Sequence, residues 1–192
     1  MAIPDFVTIV SGVPRSGTSL MMSMLVAGGL APLKDDLRAA DEDNPKGYFE
    51  LEAVKKLKQD ASWVRGAVGQ VVKVVHVHVK DLPRDGLRYR VVLMRRDLKE
   101  VLRSQKKMLE RRGMKGGNLS DERAAALYAK QMDDLVAYMK AETAFSFLEA
   151  NYNELVRAPA PVIAAVNAFL GGALDEAAMA AQVDRGLYRS GG

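Results

Sequence analysis

Gly12 and Gly17 bracket Val13-Pro14-Arg15-Ser16, and Thr18 and Ser19 follow. This G-x-x-x-x-G spacing is a phosphate-binding pattern. The glycines permit a tight loop whose backbone N–H groups face an anion at a helix N-terminus. In nucleotide triphosphatases with this loop, the position after the second glycine is a lysine that reaches the β- and γ-phosphates, and the next hydroxyl holds Mg²⁺. Here that position is Thr18, and the cation is Arg15, three residues earlier and inside the loop. The amides from Ser16 to Ser19 and the hydroxyls of Ser16, Thr18 and Ser19 suit one phosphate bearing a leaving or transferring group, without an obligatory metal.

Other residues able to do chemistry are few. The histidines are His76 and His78, two apart in an apolar β-branched run. Two histidines without a nearby carboxylate make a poor metal site, and with no cysteine there is no thiolate ligand or nucleophile. The pair reads either as buried, hydrogen-bonded imidazoles or as a rival base on one strand face, near the strand's C-terminal end where parallel sheets bind ligands. Lys73, on the opposite face, could reach an anionic oxygen or snorkel to solvent.

The elements that must position these groups read as an alternating α/β chain. FVTIVSG is a short buried strand running into the loop, and SLMMSMLVA a helix ending at Gly28-Gly29. Residues 30–50 read as a long loop or a loop with a short helix, and LEAVKKLKQDASW as a helix. QVVKVVHVHV (70–79) and YRVVLMRR (89–96) read as the second and third strands. Asp97 caps a helix to about Arg112, with Leu98, Val101, Leu102, Met108 and Leu109 on one stripe and Lys99, Arg103, Lys106 and Lys107 on the other side. Ser120 starts a long helix, AFSFLEANY is a fourth strand, and PAPVIAAVNAFLGG and LDEAAMAAQV are closing helices. This order predicts an α/β domain over 1–192, a central parallel sheet with helices on both faces in three layers.

A chain of 192 residues, 48% hydrophobic and 27% charged, has the composition of a soluble globular domain. The first residues lack a signal-peptide pattern and no apolar run reaches membrane-spanning length, so a cytoplasmic location is expected. The net charge of +4 is uneven, with basic residues crowded between Arg84 and Lys115. That favours an anionic ligand or is a solvated helix face. Without interleaved aromatics or a recognised motif, nucleic acid is not the expected partner.

GVPRSGTSL resembles the 5′-phosphosulfate loop of sulfotransferases that use 3′-phosphoadenosine-5′-phosphosulfate (PAPS), in which a basic residue occupies the place of Arg15. VVLMRRDLKEVLRSQ resembles the family's second signature. There a strand-ending arginine (Arg96 here) and a serine eight positions on (Ser104) hold the 3′-phosphate. NPKGYFE, ANYNELVRAP and VDRGLYR resemble segments of bacterial members, so the likeness spans most of this short chain. It implies a P-loop fold with PAPS as donor, a hydroxyl or amine acceptor, and no metal. Cofactor contacts fall on Arg15, Ser16, Gly17, Thr18, Ser19, Arg96, Ser104 and Tyr152, the last near the adenine. Arg15 would stabilise the leaving group. The base is Glu50, Glu52 or a histidine, His78 among them, since family members use either a carboxylate or a histidine. Arg189 in the tail could reach the 3′-phosphate, and Trp63 could stack on adenine or belong to the core. A small-molecule kinase on the same kind of fold, or a non-catalytic protein that binds the bisphosphate nucleotide, stays open beside this reading.

Overall fold

A computed structural model describes residues 5–35, 37, 47–114 and 117–183. Residues 44–46 of NPKGYFE, Lys115, and the tail with Arg189 lie outside the described residues. Five strands form one sheet: β1 (Val7–Gly12), β2 (Ala31–Pro32), β3 (Gln70–Lys73), β4 (Tyr89–Arg95) and β5 (Phe145–Asn151), in the order β2-β3-β1-β4-β5. Every pairing is parallel. Helices α1 (Thr18–Ala27), α2 (Leu98–Arg111), α3 (Asp121–Ala141), α4 (Tyr152–Arg157), α5 (Pro159–Leu170) and α6 (Glu176–Ala180) flank it.

Strand alternation divides the core into two layers. On one face Ile9, Val91 and Leu93 pack with Val101 of α2 and Met132, Leu135 and Met139 of α3. On the other, Val10, Val92 and Met94 meet Met21, Met22 and Leu25 of α1 and Ile163 and Val166 of α5. Successive strand side chains point to opposite faces, so each buried strand needs apolar residues throughout. Each fully buried Leu, Met or Val contributes about 1.5–3 kcal/mol. Arg90 ties the second layer down: its guanidinium lies 4.1 Å over the Phe6 ring and donates to the Phe169 carbonyl at 2.6 Å.

The helix starts follow their capping residues. Asp97 accepts from the Glu100 N–H at 3.1 Å, and Ser120 from the Arg123 N–H at 3.4 Å. Four expectations are corrected. The run 70–79 is a strand only as far as Lys73, and His76–Asp81 is a 3₁₀ turn. β2 supplies only two paired residues, Ala31 and Pro32, and the β1–β3 register ends at Val10 and Lys73, so the sheet does not carry the β-branched run further. The Val74 N–H still reaches the Val10 carbonyl, and the Val75 carbonyl then accepts from His78 N–H at 2.9 Å. Residues 51–63 form no α-helix; 3₁₀ turns at Glu52–Lys56 and Ser62–Ala67 replace it, separated where Asp60 accepts from the Ser62 N–H at 2.9 Å. β5 ends at Asn151, whose side chain caps α4, so Tyr152 opens a helix rather than closing a strand. Finally, the stretch 30–50, expected to be loop or loop with a short helix, contributes the edge strand β2.

Candidate active site

The C-terminal ends of the four longer strands deliver residues to one edge of the sheet, where open parallel sheets bind ligands. β1 feeds the glycine loop, β3 ends in Lys73, β4 is followed by Arg96, and β5 by Tyr152. Gly12 has φ +151°, and a Cβ there would stand 2.5 Å from Ser16 Oγ and 2.9 Å from the Met94 carbonyl. Gly17 has φ +100°, and its Cβ would stand 2.3 Å from the Tyr152 ring. Both glycines are therefore required by space as well as by conformation. Arg15 also takes a left-handed conformation, φ 73°, which a side-chain-bearing residue adopts at a cost of about 1–2 kcal/mol. Ser16 Oγ is buried inside the loop without a hydrogen-bond partner, while Thr18 and Ser19 open α1 behind it.

The two sequence motifs, far apart in the chain, meet. Arg15 Nε donates to Ser104 Oγ at 3.0 Å across 89 residues of sequence. Arg96 Nη1 donates to the Arg15 carbonyl at 3.2 Å. The β4–β5 register pairs Arg95 with Asn151, which sets Arg96 beside Tyr152. The Arg96 guanidinium lies 4.3 Å from the Tyr152 ring centroid. That ring is thus held between Gly17 and Arg96, and Tyr152 is 9% exposed. Arg95 points elsewhere, to Glu149 at 2.5 Å.

Three residues that the sequence reading did not single out join this cluster. Glu100 accepts from Arg96 Nε at 3.0 Å and from Asn153 Nδ2 at 2.9 Å. Gln105 Nε2 reaches the Pro14 carbonyl at 3.3 Å and the Tyr128 hydroxyl at 2.9 Å, tying α2 and α3 to the loop. Glu100 was accessible from the sequence as the i+4 partner of Arg96. Asn153 and Gln105 carried no local signal.

Lys73 is the centre of a second group. Its side chain is 10% exposed, so it does not snorkel to solvent. Its Nζ donates to the Tyr48 carbonyl at 2.9 Å and to Ser19 Oγ at 3.5 Å, and lies 3.7 Å from Glu50. Phe49, with φ 51°, reverses the chain between Tyr48 and Glu50 so that both flank Lys73. Asp35 pins the segment: its N–H donates to the Glu50 carbonyl at 2.9 Å, and its carboxylate accepts from the Glu52 N–H at 2.5 Å. The Glu52 carboxylate itself pairs with Lys55 at 2.7 Å, away from Lys73.

The histidines do not share a strand face, because the turn at 76–81 separates them. His76 is buried, with Nε2 2.9 Å from Gln131 Oε1 and its ring edge-on to Tyr128. His78 is partly exposed, with Nδ1 3.5 Å from Asp81. Trp63 packs against the core layer that holds α3. Among the described residues no group of three or more His, Cys, Asp or Glu is arranged to hold a metal ion.

A glycine loop between the first strand and first helix of a five-stranded parallel sheet, with helices on both faces, defines the P-loop-containing α/β/α fold. Residues 5–187 match the sulfotransferase domain family, and the chain belongs to it. Among solved structures, it is similar to the sulfotransferase domain from the Synechococcus PCC 7002 olefin synthase. There the TM-score is 0.60 and identity 16%, with 97% of this chain and 87% of that one covered. It is also similar to the sulfotransferase domain from the curacin biosynthetic pathway, with TM-score 0.50 and identity 14%, covering 88% of this chain and 75% of that one. No curated protein sequence matches the chain. No helix among the described residues is long and apolar enough to cross a membrane.

Proposed function

We propose that this protein transfers a sulfuryl group from PAPS to a hydroxyl or amine acceptor, releasing adenosine 3′,5′-bisphosphate. The observation that carries this reading is the meeting of the two phosphate motifs: Arg15 within 3.0 Å of Ser104, with Arg96 donating to the Arg15 carbonyl. A nucleotide phosphorylated at both the 3′ and 5′ positions needs two anion sites on one surface. The loop residues Ser16, Gly17, Thr18 and Ser19 would take the 5′-phosphate, and Arg96 with Ser104 the 3′-phosphate. Tyr152, packed under Gly17, supports both.

The donor supplies an electrophilic sulfur with the bisphosphate as leaving group. The acceptor oxygen forms its bond to sulfur as the bond from sulfur to the bridging oxygen breaks, and the acceptor's proton passes to a base. Glu50 is the proposed base, beside Lys73, whose ammonium would face the equatorial sulfonate oxygens. Arg15 is permanently charged and acts as an electrostatic clamp on the leaving oxygens, not as an acid. His78 is the rival base. The acceptor is a small molecule, glycan or protein that presents the hydroxyl or amine.

The test is a thermal-shift titration of wild type and Arg96→Ala with adenosine 3′,5′-bisphosphate, run beside Mg-ATP. A ligand that binds only the native protein raises the melting temperature. The expected result is stabilisation by the bisphosphate, unmatched by Mg-ATP and weakened roughly ten- to hundredfold in apparent affinity by Arg96→Ala. Stabilisation by Mg-ATP alone would overturn the reading in favour of a kinase. Bisphosphate binding without sulfuryl transfer to any acceptor in a screen would favour a non-catalytic nucleotide-binding protein.

A further inference from the structure

Arg96 has too many ways to point unless something aims it. An arginine following a strand end can swing its charged fork through a wide arc, and only an oriented fork gives two parallel hydrogen bonds to a phosphate. Here the fork is fixed from three sides: its central carbon lies 4.3 Å from the Tyr152 ring centroid, the Arg15 carbonyl holds Nη1 at 3.2 Å, and Glu100 holds Nε at 3.0 Å. Glu100 is in turn fixed. Asn153 donates to its other carboxylate oxygen at 2.9 Å, and the Asp97 cap holds its backbone N–H at 3.1 Å. The pair is nearly buried, with side chains 7% and 14% exposed, so solvent does not loosen it.

We propose that Glu100, held by Asn153, is a positioning residue that aims Arg96 and thereby sets the preference for a 3′-phosphorylated nucleotide. This rests on the donor reading above. Both Glu100 oxygens accept hydrogen bonds within the cluster, so the carboxylate acts through Arg96 and not on the acceptor. A mere counter-charge would behave in the opposite way, because removing it would strengthen the attraction of Arg96 for phosphate.

The experiment measures, by calorimetry, the Kd of adenosine 3′,5′-bisphosphate and of adenosine 5′-monophosphate on wild type, Arg96→Ala, Glu100→Ala, Glu100→Gln and Asn153→Ala. Melting curves confirm that each variant is folded. The ratio of the two constants isolates the 3′-phosphate. Glu100→Ala is expected to cut the ratio about tenfold and Asn153→Ala severalfold, with monophosphate affinity unchanged. Glu100→Gln is expected to stay within about twofold of wild type, because the amide oxygen still accepts from Arg96 and Asn153 can turn its own amide to match. An unchanged or increased ratio in Glu100→Ala overturns the proposal. If Glu100→Ala fails to fold, Asn153→Ala decides, since it leaves the Arg96–Glu100 pair in place, and a wild-type ratio there is fatal. If Arg96→Ala loses the preference while the Glu100 and Asn153 variants keep it, this proposal alone fails. If wild type shows no preference for the bisphosphate, the donor reading fails and takes this proposal with it.

Discussion

Around Arg96, residues of the glycine loop, α2 and α4 are joined by hydrogen bonds of 2.9–3.2 Å, while around Lys73 the Tyr48 carbonyl accepts at 2.9 Å and Ser19 Oγ and the Glu50 carboxylate stand at 3.5 and 3.7 Å. The first group stands on strand ends and helices. The second draws Glu50 from a segment without regular structure, reversed at Phe49 and anchored through Asp35. Elements with many buried contacts open rarely, and loops open at small cost. In the proposed reaction, the rigid group receives the donor, whose shape is constant. The looser group meets the acceptor, where variation between sulfotransferases is tolerable.

The largest effect expected from breaking this division is at Arg15, which belongs to the rigid group and would also touch the reacting centre. Arg15→Ala is predicted to lower turnover about 100- to 1,000-fold, the usual cost of losing one preorganised charge-stabilising donor. It should also weaken the bisphosphate, because its side chain holds Ser104, while the residue-15 carbonyl that accepts from Arg96 remains in the variant. Steady-state kinetics with a PAPS donor and nucleotide calorimetry measure the two effects. Loss of nucleotide affinity with normal turnover would remove Arg15 from the chemistry.

The looser group should respond differently. Glu50→Gln is predicted to lower turnover about 100-fold while leaving the bisphosphate Kd within about twofold, because a general base acts on the acceptor alone. His78→Ala should leave turnover within about threefold under the same assignment. The reverse pattern would transfer the base to the turn at 76–81. An equal fall in nucleotide affinity for Glu50→Gln and Arg15→Ala would show that the two groups form one unit.

What was legible in the sequence follows the same line. The loop, α2 and α3 carry their own signals: glycine spacing, the Asp97 and Ser120 caps, and apolar stripes. Their placement of Arg15, Arg96 and Ser104 needed little beyond correct strand order. The end of β3 was not legible, since Val74 and Val75 favour a strand and only the shortness of β2 and the end of the β1–β3 register at Lys73 take them out of the sheet. That error carried the histidines with it. Asn153 was invisible for a related reason: it meets Glu100 only because Arg95 pairs with Asn151 across the sheet. Local propensity yields to tertiary pairing in such places.

The smallest predicted effect tests how stiff the rigid group is. Asn151 Oδ1 accepts from the N–H groups of Asn153 and Glu154 at 2.9 and 3.2 Å, capping a helix of only six residues. Asn151→Ala removes that cap and should cost about 1 kcal/mol, a fall of roughly 2–4 °C in Tm. The ring of Tyr152 is still gripped by Gly17 and Arg96, and the β4–β5 register is backbone-made, so fraying of α4 should put at risk only the Asn153–Glu100 bond of the Arg96 cluster. Bisphosphate affinity should then drop by no more than the several-fold effect expected of Asn153→Ala, well short of Arg96→Ala. A loss of affinity as large as that of Arg96→Ala would mean that the cluster is held by one short helix and its cap. The contrast between a preorganised donor side and an adaptable acceptor side would collapse.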